Sequence, residues 1–408
     1  MIRQSNTISN IVFVSTLTVV IISTISILFP ALIVISVSPY QDRTPINLFE
    51  PGIWAFPVIV VNSALLIFGV LYFKKRLPNI VKKSIQNILD FEVSRRIAFI
   101  IMLIVISYYV GLTIHELFEI EVWADFWAVK NSVENWSFND GKGIGLQFRQ
   151  FLLYLSISVF DNIRMFPFLT SILLVILTYF ITVKISQKRF SGILATVVLL
   201  QSALFLEYDT TASYDNVWII LYLFSLYTIY KKWYLSPVAF IFAVFSKVLT
   251  TVFLPMSLFF IYRSGMPKNI RNKALITYGV IIGLFLVVFY FVDLPIVSPL
   301  SFYNGDFDYV RFWRGFTSFA YQLRYDGVLL TLLVPLVVGL YLLSRRGIIQ
   351  ADSIMLIIMG MLLAAPLLAA LTNITIQPYR FVPLVVFFAI GVGLLFSKRS
   401  TNWSQNNP

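Results

Sequence analysis

Long apolar runs, separated by short polar and mostly basic stretches, dominate the chain. Runs near 20 residues fall at 11–37, 53–73, 97–114, 164–184, 190–206, 216–230, 274–292, 326–344, 353–372 and 379–396. A bilayer core of roughly 30 Å takes about 20 apolar residues as a helix, so each run predicts a transmembrane helix. The stretch 236–262 is too long for one span and carries Ser246-Lys247 in its middle. A charge at the bilayer centre costs about 3 kcal/mol on insertion scales. Two short tilted helices, 236–246 and 249–262, meeting at Lys247 near the far surface, avoid that cost. The prediction is an all-α, polytopic bundle of about twelve spans with both termini on one side. The first run is longer than a signal peptide's core and lacks a small-residue cleavage site, so it reads as a retained helix.

Composition agrees with this pattern. The 408 residues are 59% hydrophobic and only 12% charged, against about 25% charged in soluble domains. The net charge of +12 reads as topology rather than as a nucleic-acid surface, because the basic residues cluster between apolar runs as they do in cytoplasmic loops. With both termini placed in the cytoplasm, inner segments hold 21 of the 31 basic residues, and 16 of the 19 acids lie outside. Splitting 236–262 is what keeps the later loops in phase with this bias. The chain has no cysteine and one histidine, His115. It therefore has no disulfide framework, no thiolate metal site and no His-rich metal site.

Two outer segments, 115–163 and 293–325, are long and rich in Trp, Phe and Tyr, unlike disordered chain. Within the first, the apolar run Leu146–Phe160 is short and reads as a helix lying on the interface; as a span it would invert every later loop. DGKGIG, with Gly141, Gly143 and Gly145, reads as a flexible turn. Sequons occur at Asn135, Asn373 and Asn402. The tail after Lys398 is polar.

Three constellations could carry chemistry. His115-Glu116-Leu-Phe-Glu119-Ile-Glu121-Val-Trp123-Ala-Asp125 sets four acids in ten residues at a membrane surface. Crowded carboxylates repel, which raises some pKa values and suits acid–base work. The same pattern also fits a solvated amphipathic helix with interfacial tryptophans. The turn Glu207-Tyr208-Asp209-Thr-Thr-Ala-Ser-Tyr214-Asp215-Asn216 offers further acids, although Asp215 also fits a helix N-cap. Arg164, Lys247 and Arg380 stand at outer helix ends, where the chain otherwise avoids positive charge. Snorkelling explains such residues, and so does phosphate binding. No Gly-rich phosphate loop, His-Glu-x-x-His or Gly-x-Ser-x-Gly motif is present.

In order and sidedness these features resemble the GT-C-type glycosyltransferases that use polyprenyl-phosphate sugars, such as protein O-mannosyltransferases and lipid A aminoarabinose transferases. The resemblance covers about 97–263, with a second piece at 373–396. Glu119 and Trp123 take the places of an acid and a tyrosine in that family's Asp-Glu-x-x-Tyr loop opening, although the acids here read Glu-Ile-Glu. Glu134-Asn135-Trp136 is similar to its Gly-Asp-Trp element. Arg164 in NIRMFPFLTS, Asp215 in SYDNVW, Lys247 in FSKVLTTVFLP, and Tyr379 and Arg380 in PYRFVPLVV match later elements. The family's C-terminal soluble domain has no counterpart, and 1–96 matches nothing in it.

The resemblance implies an inverting transfer outside the cytoplasm, from a lipid-linked sugar donor to a glycan, lipid or protein acceptor. The base is Glu119 or Glu121, with Asp125 in reserve. Arg164, Lys247, Tyr379 and Arg380 would hold the donor phosphate, and Trp123, Asp209 and Asp215 would line the substrate. It implies no certain cofactor; the acids could take a divalent cation, as in some family members, but no ligand set singles one out. The expected organisation is two extra spans with a basic cytoplasmic loop (1–96), a catalytic core (97–263), C-terminal spans with an outer loop (264–397) and a tail (398–408). The expected partners are that donor, that acceptor and the membrane lipids, with no nucleic acid. The rival readings are a transporter or lipid flippase, which would show polar midplane helices or repeated halves, and a subunit without chemistry.

Overall fold

The computed structural model describes residues 2–33, 51–74, 76–123, 125–136, 144–291, 306–323, 326–371 and 378–398. The sequons at Asn373 and Asn402, Gly141 and Gly143, all of 293–305 and the tail after Lys398 lie outside them. The secondary structure of the described residues is helical throughout, with no strand.

In chain order the helices are α1 (Ile2–Leu28), α2 (Ala55–Phe73), α3 (Asn79–Asp90), α4 (Arg95–Thr113), α5 (Phe126–Glu134), α6 (Ile144–Phe160), α7 (Met165–Ser186), α8 (Arg189–Leu200) and α9 (Ala203–Tyr208). They continue with α10 (Val217–Thr228), α11 (Ser236–Ser246), α12 (Leu254–Tyr262), α13 (Lys268–Phe291), α14 (Tyr309–Gln322), α15 (Gly327–Arg345), α16 (Gln350–Leu371) and α17 (Val382–Leu394). Every described apolar run is therefore helical. Six are long and apolar enough to cross a membrane: those of α1, α2, α4, α7, α15 and α16. This marks the chain as a membrane protein.

The remaining apolar helices differ from a set of equal spans. α8 and α10 have 12 residues each, about 18 Å at 1.5 Å per residue. The run read as one helix over 190–206 breaks at Gln201-Ser202, where the Ser202 hydroxyl donates to Asp326. Asp326 in turn N-caps α15 through the Leu329 N–H at 3.2 Å. The break expected at Lys247 is present. α11 stops at Ser246, Lys247 is extended, and a 3-10 turn over Val248–Phe253 leads into α12. β-branched Val248, Thr250 and Thr251 favour leaving the α-helix there, and Pro255, in the first turn of α12, restarts it.

The chain divides into two compact units. One comprises Met1–Arg95, Thr182–Leu204 and Tyr303–Pro408; the other comprises Arg96–Ile181 and Phe205–Phe302. In the first, α16 packs against α1, α14, α15 and α17, while α8 lies on α17 and α2 on α15. Every residue of α17 is buried. Helices in lipid associate by close backbone approach at small residues, and Gly315 of α14 shows how close. A β-carbon there would stand 2.3 Å from the Pro366 Cα of α16. Ser9 donates to Asp352 at 2.8 Å and shares a 3.0 Å hydrogen bond with Ser344, which ties α1 to α15 and α16. In the second unit, α11 packs against α6, α10 and α13, and α12 packs against α13.

Gly315→Leu forces α14 off α16, at about 3 kcal/mol or more. Gly111→Leu, where a β-carbon meets nothing within 4 Å, serves as the control. Thermal unfolding in detergent is expected to show a clear loss for the first and little change for the second.

Candidate functional site

The acidic loop and the 209–216 turn meet in the second unit, and Arg164 joins them. Asp161 takes positive φ at 53°, and the Asn162 side chain accepts from the Arg164 N–H at 2.9 Å. This starts α7 with Arg164 turned inward, 6% exposed. Its guanidinium donates to the Glu119 carbonyl at 2.8 Å, the Thr210 carbonyl at 3.1 Å, the Thr210 hydroxyl at 2.6 Å and the Glu116 carbonyl. The Glu116 and Glu121 carboxylates stand 3.6 and 3.8 Å from it. The Thr210 hydroxyl donates to Glu116 at 2.7 Å. Asn162 adds a 2.8 Å bond to the Leu117 carbonyl. The planar guanidinium fork can serve several acceptors at once, so one residue fixes three segments distant in sequence.

The acids around this clamp are not equivalent. Glu121 is buried. It accepts from the Ala212 and Ser213 N–H groups and from the Ser213 hydroxyl at 2.7 Å, a backbone cradle for an anion. The Ala212 and Ser213 carbonyls are taken by Arg149 of α6, which also pairs with Asp215 at 2.7 Å. Asp215 further accepts from the Val217 N–H at 3.2 Å as well as anchoring Arg149, while the N-cap position of α10 falls to Asn216. Asp125 is exposed and accepts from the Tyr214 hydroxyl at 2.6 Å. Glu119 contributes its carbonyl to Arg164, and its side chain is exposed with no partner among the described residues.

Aromatic rings back this rim. Trp123 stacks on Tyr208 with centroids 5.1 Å apart and meets the edge of Tyr214 at 5.5 Å. Beneath it, Phe126, Val133, Leu153, Ile163 and Ala212 form a small core joining α5 and α6 to the turn. Lys247 lies half-buried with Nζ 5.4 Å from the Trp218 ring centroid, a cation–π contact. Tyr379 and Arg380 belong to the other unit, where the guanidinium packs over the Tyr379 ring at 5.7 Å. Among the described residues, no three His, Asp or Glu side chains converge to hold a metal ion.

Asp209 lies deepest, 1% exposed. Burial pushes its carboxyl up from 3.8 to about 8, with the negative charge of Glu116 adding to the rise; the Tyr109 hydroxyl, the Thr210 N–H and Arg164 oppose it. Among the described residues, no group reaches either carboxylate oxygen in full hydrogen-bonding geometry. Arg149, Asn162, Thr210 and Tyr109 were not singled out in the sequence. Arg149 carried the one available signal, a cation interrupting an apolar helix.

A folded value above the unfolded one means that the native state holds the proton longer than the unfolded chain. Stability from this group is therefore full below pH 3.8 and is lost as pH rises from there through about 8. Thermal midpoints of the protein and of Asp209→Asn are expected to agree near pH 4, with the variant increasingly the more stable by pH 9. No protein-family model, curated protein or solved structure matches the chain.

Proposed function

We propose that the protein is a membrane glycosyltransferase that moves a sugar from a polyprenyl-phosphate donor to an acceptor on the extracytoplasmic face, with inversion. The observation that carries this reading is the acidic rim of Glu119, whose carbonyl Arg164 holds, and Asp125, which Tyr214 of the 209–216 turn holds. Its chemistry is that of a base presented at a surface, and the order of its residues follows the GT-C resemblance.

The topology belongs to the same proposal: about twelve spans, with both termini cytoplasmic. Segments that the charge pattern assigns to the inner face meet one another. Lys188 reaches the Leu89 carbonyl at 2.6 Å, the Lys398 N–H reaches the Ser186 carbonyl at 3.0 Å, and Ser9 reaches Asp352. The short apolar helices would cross as tilted or broken spans.

In the reaction, the Glu119 carboxylate takes the proton of an acceptor hydroxyl or amide. The freed nucleophile attacks the anomeric carbon, and the bond from that carbon to the phosphate oxygen breaks. Lys247 stabilises the charge growing on the departing lipid phosphate. Glu121 and Arg164 hold the loop, because their polar atoms are already engaged. Trp123 offers a ring face to the sugar.

The test uses full-length protein in liposomes with a polyprenyl-phosphate sugar donor. Glu119→Gln is expected to lower turnover at least about 10²-fold while leaving thermal stability unchanged, and Lys247→Ala to raise KM for the donor. Normal transfer by Glu119→Gln, Asp125→Asn and Lys247→Ala alike refutes the reading. Movement of intact donor across the bilayer without transfer supports a flippase.

A further inference from the structure

Between α2 and α4 the chain builds a helix with no core of its own. α3 has no buried residue. Val81, Ile85, Ile88 and Leu89 recur at helical spacing and form one apolar stripe, bordered by Lys82, while Lys83, Asn87 and Asp90 take the other face. Within the stripe Ile88 is 53% exposed and Val81, Ile85 and Leu89 are half-buried; Phe91, just beyond the helix, is 53% exposed.

Connectivity says what covers this stripe. α3 follows Phe73 of α2 by a five-residue link and reaches α4 through Phe91–Ser94. The helices on either side are both of membrane-crossing length. Five extended residues reach at most about 18 Å, so α3 stays at the bilayer surface. Its C-terminal end is also fastened within its own unit. Lys188 donates to the Leu89 carbonyl at 2.6 Å, the Arg189 N–H donates to Glu92 at 3.0 Å, and Phe91 meets Phe190 edge-on at 5.0 Å. The segment 74–96 carries Lys74, Lys75, Arg76, Lys82, Lys83, Arg95 and Arg96 against only Asp90 and Glu92. An apolar stripe beside a basic face, tethered at both ends to membrane helices, matches an anionic lipid surface.

We propose that α3 lies in the bilayer interface, with its Val81–Leu89 stripe towards the acyl chains and Lys82 and Lys83 on the headgroups of anionic phospholipids. This does not depend on the glycosyltransferase reading.

The natural chain has no cysteine, so single labels can be placed cleanly. Ile88→Cys and Asn87→Cys, both at exposed positions, carry nitroxides on the full-length protein. Each is reconstituted in phosphatidylcholine vesicles with or without phosphatidylglycerol. Power-saturation spectroscopy then compares collisions with oxygen, enriched in the bilayer, and with a water-soluble nickel chelate. With phosphatidylglycerol, the Ile88 label should favour oxygen several-fold and the Asn87 label should favour the chelate. Omitting phosphatidylglycerol, or introducing Lys82→Gln with Lys83→Gln, should shift the Ile88 label towards the chelate. An Ile88 label as open to the chelate as the Asn87 label overturns the proposal, as an acidic protein partner in place of lipid would require. So does an Ile88 depth indifferent both to phosphatidylglycerol and to the lysine pair.

Discussion

The loop and turn of the second unit that carry the acidic residues depend on one guanidinium. Arg164 joins the loop at 116–121 to the turn at 209–213 through two carbonyls of the first, the carbonyl and hydroxyl of Thr210, and two carboxylates. A buried charge taken from its partners costs about 3–5 kcal/mol. The arrangement is therefore held as a whole or lost as a whole. Its consequence for chemistry is selective. The clamp and the Ala212-Ser213 cradle consume Glu121 and draw in Glu116, while Glu119 and Asp125 keep their carboxylates at the surface. A cluster of like charges is thereby divided into acids that hold the loop and acids that face solvent.

The positions of the helices were legible because apolar runs of span length leave few alternatives. The break at Lys247 was legible because a charge in mid-run is costly. The finer divisions were not. The 190–206 run splits at Ser202 because its hydroxyl serves Asp326, more than a hundred residues away, and no local pattern carries that. Arg164 could be singled out as a cation where cations are rare. Its partners could not be named, because three are backbone carbonyls and carbonyls have no sequence signature. Arg149 was missed for the same reason: two of its three bonds go to the carbonyls of Ala212 and Ser213.

The division of charge that governs the acidic rim also governs α3. Basic residues gather in the loops that carry α3 and the α7–α8 turn, and acids gather around the 116–125 loop. One loop set offers cations and an apolar stripe suited to anionic lipid. The other offers carboxylates suited to taking a proton. Close helix packing in the first unit, seen where Gly315 meets Pro366, leaves α3 without a buried residue and with Ile88 exposed.

The central claim is that the acidic rim supports sugar transfer from a lipid carrier. Its most direct test is mass spectrometry of lipid-linked sugars and of surface glycans in cells with and without the gene. The account predicts that loss of the gene raises one polyprenyl-phosphate sugar and removes that same sugar from one acceptor. Unchanged levels of both would contradict it.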